Sequence, residues 1–137
     1  MSRPQLSALE RFLSIEIDSL QWPTLLSGEL LGNEGAHVVL TLRVPAELQY
    51  FTGHFPEQPV LPGVVQIHWA GEFSKRLFGV SGFSSLQGAK FNGMVLPETT
   101  IRLELLFKME KNSVRFNYTN GDEKISVGSL KFDGGAQ

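Results

Sequence analysis

The sequence predicts an α+β domain in which a curved antiparallel sheet wraps around one long helix. One strong helical signal runs from Pro62 to about Gly79, and stretches of period-two apolar alternation lie on both sides of it. A single long helix amid strands that pair antiparallel is an α+β arrangement. Within the helix, Ile67, Trp69, Ala70, Phe73, Leu77 and Phe78 spread around Gln66 and cover about half the circumference at ~100° per residue. That arc is too wide for a helix lying on a surface and suits one enclosed by sheet.

Each element has its own signal. Leu6, Leu9, Phe12 and Leu13 recur at helical spacing and predict a short amphipathic helix that ends before Trp22-Pro23, where proline bars continuation. A first strand is expected around Leu25 to Leu31, followed by a turn at Gly32-Asn33-Glu34-Gly35. The partner strand, Ala36 to Val44, places Val38, Leu40, Leu42 and Val44 on one face. The long helix opens on Pro62 and closes at Gly79, as helix ends prefer. On its polar side His68 and Glu72 are four residues apart and able to touch, with Lys75 beside them. Lys75-Arg76 suits the negative end of the helix dipole. Gln66, at the centre of the apolar arc, needs a hydrogen-bond partner, and the backbone of a neighbouring strand is the expected one.

Ile101, Leu103, Leu105, Phe107 and Met109 form one face of a later strand, and Val114, Phe116 and Tyr118 repeat the pattern. Asn120-Gly121 suits a tight hairpin turn whose two central residues take positive φ. In the last strand Ile125 and Val127 and then Leu130 and Phe132 face inward, a phase shift that places a bulge near Gly128.

The chain has 137 residues, the size of one domain, expected over residues 1–133 with a fraying tail at 134–137. Twelve Lys and Arg against fourteen Asp and Glu give a net charge of −2, so no overall positive field exists to hold a nucleic acid. The absence of cysteine excludes a disulfide scaffold, a thiol nucleophile and a zinc–thiolate site. The histidines, at 37, 54 and 68, have no metal-ligand spacing, and neither a phosphate loop nor a Gly-x-Ser-x-Gly elbow occurs. Neither metal nor cofactor is expected. Glu10 and Arg11 interrupt the apolar spacing of the N-terminal segment, so no signal peptide or membrane span is expected there and the cytoplasm is the default address.

The chemistry concentrates in Gly53-His54-Phe55-Pro56-Glu57-Gln58-Pro59-Val60-Leu61-Pro62-Gly63. Three prolines and two glycines restrict this loop, which carries an imidazole near its start and a helix N-terminus at its end. The unpaired amides of that helix start, Gly63 included, can hold negative charge developing on an oxygen. An imidazole beside such amides is what proton abstraction next to a thioester carbonyl requires.

Gly53-His54-Phe55-Pro56, then Pro59, then Leu61-Pro62-Gly63-Val64, resembles the signature of the hotdog-fold β-hydroxyacyl-[acyl carrier protein] dehydratases of the FabZ/FabA type. The similarity extends over most of the chain. Trp22-Pro23 through Leu26 resembles the start of that family's first strand, and Ala89-Lys90-Phe91 with Val95-Leu96-Pro97 resembles the pattern before its later strands. Gln66 to Trp69 is similar to a narrower subgroup, the dehydratases found with aryl-polyene synthesis.

The resemblance implies a hotdog fold, a homodimer or higher even oligomer, and a 3-hydroxyacyl thioester substrate carried on acyl carrier protein or coenzyme A. It places active sites at the dimer interface, His54 of one chain facing an acidic residue on the helix of the other. Gly63 would polarise the thioester carbonyl, and Phe55, Pro62, Val64 and Gln66 would line the substrate. One departure matters: the family has Glu or Asp at the helix position where this chain has His68. A protonated His68 would still donate to the leaving hydroxyl, helped by Glu72. Alternatively, two histidines facing each other would repel when both are charged, leaving an acyl-binding subunit that does not dehydrate. A thioesterase is a further alternative, because activating water at the carbonyl needs only one base and one polarising amide.

Overall fold

In a computed structural model the described residues are 21–32, 36–51 and 59–134. The expected N-terminal helix lies outside them, as do His54 and Phe55. Six strands form one antiparallel sheet: β1 (Thr24–Leu31), β2 (His37–Val44), β3 (Ser81–Phe91), β4 (Thr99–Lys108), β5 (Ser113–Asn120) and β6 (Glu123–Gly134). The helix, α1, spans Gly63–Phe78 between β2 and β3. Strand order across the sheet is β1-β2-β4-β5-β6-β3, so β3 leaves the helix and pairs at the far edge.

Alternation in β2, β4, β5 and β6 turns one face toward α1. Leu40, Leu42, Leu103, Leu105, Phe116 and Leu130 are buried there against Trp69, Ala70, Phe73 and Leu77 of the helix. The rings of Phe78 and Phe107 stack at 5.1 Å. The wide apolar arc therefore has its physical cause: sheet covers the helix over much of its circumference. Pro62 caps the N-terminal end, and Gly79 closes the other in the left-handed region, its N–H donating to the Lys75 carbonyl at 3.0 Å.

Several expectations are corrected. Met109 is exposed and starts a 3-10 turn, so the inward face of β4 ends at Phe107. Asn120 and Glu123 are the last paired residues of β5 and β6, which leaves Gly121 and Asp122 as the loop; only Gly121 takes positive φ, 61°, the arrangement of a type II′ turn. The bulge in β6 falls at Ile125 rather than near Gly128, since Tyr118 pairs with Ser126 and Thr119 with Lys124. Beyond it Ser126, Gly128, Leu130 and Phe132 alternate inward without a break, and Val127 faces outward. Gly128 is a glycine for packing: a Cβ there would lie 2.7 Å from the buried Phe116 ring. Gly134 pairs with Ser81, which carries the ladder one residue past the expected domain boundary. The strand β3 had no signal in the sequence. Its residues are exposed or half-buried; Gly82 and Gly88 take positive φ, and Gly88 lies at the second of the strand's two register shifts.

Candidate active site

The helix presents a polar stripe opposite its buried arc. Val64, His68, Gly71, Glu72 and Lys75 recur at three- and four-residue spacing. With Ile67, and with Phe83 and Phe132 from β3 and β6, they line a groove of about 280 Å³. The groove is mostly apolar and opens at the molecular surface, where Val64 is 70% and Phe83 49% exposed.

His68 lies in this groove with its ring 5.4 Å from that of Trp22, which also meets Phe73 at 5.8 Å. The Arg76 guanidinium stands 5.8 Å from the centre of the same indole, so Arg76 has a ring contact as well as its place at the helix end. Glu72 does not hold His68. Its carboxylate accepts from Lys75 Nζ at 3.0 Å, one turn away. The ion pair with Lys75 stands where the sequence allowed a His68–Glu72 contact, because Lys75, one turn on, reaches the same carboxylate.

At the helix start, the Val65 and Gln66 amides donate to the Pro62 carbonyl at 3.1 and 3.3 Å. Helix geometry leaves the Gly63 and Val64 amides without an intrahelical acceptor. A Cβ on Gly63 would lie 2.8 Å from Phe91 Cε1, so glycine lets that ring close against the helix N-terminus. Leu61 N–H donates to the Val95 carbonyl at 2.9 Å and ties the approach to the helix onto the segment after β3.

Gln66 is 2% exposed and turns away from the groove toward the sheet. The Ser126 hydroxyl donates to its Oε1 at 2.7 Å, and the Tyr118 hydroxyl donates to its carbonyl at 2.7 Å. Its side-chain partner is therefore a serine hydroxyl and not the strand backbone the sequence suggested. Burial pushes the Tyr118 hydroxyl well above the usual phenol range, which keeps it a donor. His37, for which the sequence indicated no role, pairs with Glu104 across β2 and β4. Among the described residues no group of three or more His, Cys, Asp or Glu could hold a metal ion, and no helix is long and apolar enough to cross a membrane.

The structure thus brings Val64 and His68 into one groove next to the amide of Gly63, with Pro62 as its cap. Sequence reasoning missed Trp22, Phe83 and Phe132 as neighbours of His68. Only the helical stripe through Val64, His68 and Gly71 was available as a signal, since Phe83 lies on the strand that alternation did not reveal.

A curved antiparallel sheet around one helix, with a histidine groove beside the helix start, defines a hotdog-fold protein. The ApeI dehydratase family model matches residues 31–129. The 3-hydroxyacyl-[acyl-carrier-protein] dehydratase FabZ of Acetivibrio thermocellus is 31% identical over 136 residues, covering 87% of this chain and 92% of its own. FabZ of Clostridium botulinum is 34% identical over 110 residues, covering 71% and 76%. Among solved structures, the dehydratase heterocomplex ApeI:P from Xenorhabdus doucetiae contains a chain similar at a TM-score of 0.74 and 31% identity, covering 80% of this chain and 96% of that one. The chain belongs to the ApeI-like dehydratase family. It is a dehydratase of the hotdog fold, as its motifs implied.

Proposed function

We propose that the chain removes water from 3-hydroxyacyl thioesters, on acyl carrier protein or coenzyme A, to give trans-2-enoyl thioesters. The observation that carries this reading is that His68 lines an apolar groove that runs along the helix to Val64, next to the helix start, in a chain of this family. His54 takes a proton from the carbon next to the thioester carbonyl. The Gly63 amide holds the charge that develops on the carbonyl oxygen. His68, as imidazolium, gives a proton to the hydroxyl as the carbon–oxygen bond breaks, and water leaves. Val64, Pro62 and Phe55 flank the thioester; the apolar groove wall takes the acyl chain.

Each groove is one half of a site. Val64 and Phe83 are exposed in the groove, and Phe91 is exposed beside the helix start. Among the described residues β3 pairs only with β6, which leaves its other edge for a second chain. A homodimer covers these surfaces and brings His54 of one chain to His68 of the other. A second reading, pairing with a non-identical subunit that supplies a carboxylic acid, is favoured by His68 standing at the acid's position and by the heterocomplex of the similar ApeI chain.

Substitution His54→Ala tests the reading. Hydration of a trans-2-enoyl thioester, followed by loss of enoyl absorbance, should fall by roughly 10²–10⁴ with the fold retained. Unchanged turnover would remove His54 from the mechanism.

A further inference from the structure

A second cavity, of about 270 Å³, lies on the face of the sheet away from α1. Two cross-strand rows build it. In the first, Lys108 of β4 pairs with Ser113 of β5, and Ser113 pairs with Lys131 of β6. In the second, two residues along, Arg115 of β5 pairs with Ser129 of β6, and Ser129 with Gln87 of β3. Lys111, in the turn after β4, closes one end, and Lys131 Nζ donates to its carbonyl at 3.3 Å. The residues that alternate with these, Phe107, Val114, Phe116 and Leu130, are buried toward the helix. The cavity is therefore separated from the His68 groove by the thickness of the sheet.

Four of the twelve Lys and Arg residues stand in this one cavity of a chain with net charge −2. None of the four pairs with a carboxylate among the described residues. Side chains at opposed and diagonal strand positions are roughly 5–8 Å apart, so these like charges repel and cost stability in the empty cavity. An anion between them turns that cost into attraction. The neutral groups interleaved with the cations, the hydroxyls of Ser113 and Ser129 and the Gln87 amide, are further hydrogen-bond donors. A donor-rich, carboxylate-free cavity matches the acceptor oxygens of a phosphoryl group.

We propose that this outer-face cavity binds the phosphoryl group of a small molecule, either a nucleotide or a phosphorylated pantetheine arm. The site is distinct from the dehydration site and stands without it. Calorimetric titration of the full chain at low salt with pyrophosphate, a nucleoside bisphosphate and phosphopantetheine tests it. At least one probe should bind saturably and more weakly as salt rises, and the tightest binder names the source. Arg115→Gln and Lys131→Gln should each weaken binding roughly tenfold or more. Lys75→Gln, whose cation lies in the other groove, should not change it. Thermal unfolding of the Arg115 and Lys131 variants should be no lower than wild type, because each relieves repulsion. No saturable binding of any probe, equal affinity in Arg115→Gln and Lys131→Gln, or equal loss in Lys75→Gln would overturn the proposal.

Discussion

Replacing Gln66 by Leu separates its structural role from contact with substrate. The Gln66 side chain is buried between helix and sheet and accepts from the buried Ser126 hydroxyl. Leucine fills nearly the same volume and buries more apolar surface, but it leaves Ser126 without that acceptor. An unsatisfied buried hydroxyl costs about 1–3 kcal/mol, against which the apolar gain of roughly 1 kcal/mol is smaller. Gln66→Leu should therefore destabilise by about 1–2 kcal/mol, a fall of roughly 3–8 °C in Tm for a chain of this length. The Tyr118 bond survives, since it is made to the Gln66 backbone carbonyl. Removing both partners is near neutral, so Gln66→Leu with Ser126→Ala should be more stable than Gln66→Leu alone. Urea unfolding of the wild type, both single variants and the double variant gives the cycle. A double variant as unstable as the sum of the singles would refute the pairing. A change in acyl-length preference with stability intact would instead place Gln66 against the substrate.

Gly128→Ala should lose about 1–3 kcal/mol by urea unfolding, because its Cβ would meet the Phe116 ring at 2.7 Å in a core that has no room for it. Glu98 accepts from the Ala46 amide at 2.7 Å and from Arg43 at 2.6 Å, and these bonds, the backbone one first, hold its carboxyl below the usual value of 4.5. A depressed folded-state value means stability present above 4.5 and lost as pH falls through the lower, folded value. Glu98→Gln should accordingly flatten the acid limb of a Tm-against-pH curve below about 4.5, whereas an unchanged limb would show that other carboxylates set it.

How much was legible in the sequence follows from burial. The inward faces of β2, β4 and β5 alternate because one side meets the helix and the other does not, and that contrast is written in Leu40, Leu103 and Phe116. The strand β3 lies at the sheet edge with little of either face covered, so Ser81, Gly82, Ser84, Ser85 and Gly88 carry no alternation and the strand was invisible. In β6 the residues Val127 and Gly128 misled: a valine faces outward and a glycine inward, because the Phe116 ring occupies the volume a side chain would take. At the site, the loop prolines and the helix-start glycine marked the helix N-terminus correctly. Helical spacing placed Lys75 on the face of His68, but Trp22 and Phe83 reach it by chain paths that no local pattern encodes.

The proposed dehydration turns on His68 as the acid. Dehydration of a 3-hydroxyacyl thioester by the wild type, His68→Ala and His68→Glu, each confirmed as folded and with its oligomeric state measured, tests it most directly. His68→Ala should lose roughly 10²-fold or more, and His68→Glu, which puts a carboxylic acid at that helix position, should keep or raise the rate. Equal rates for all three would contradict it.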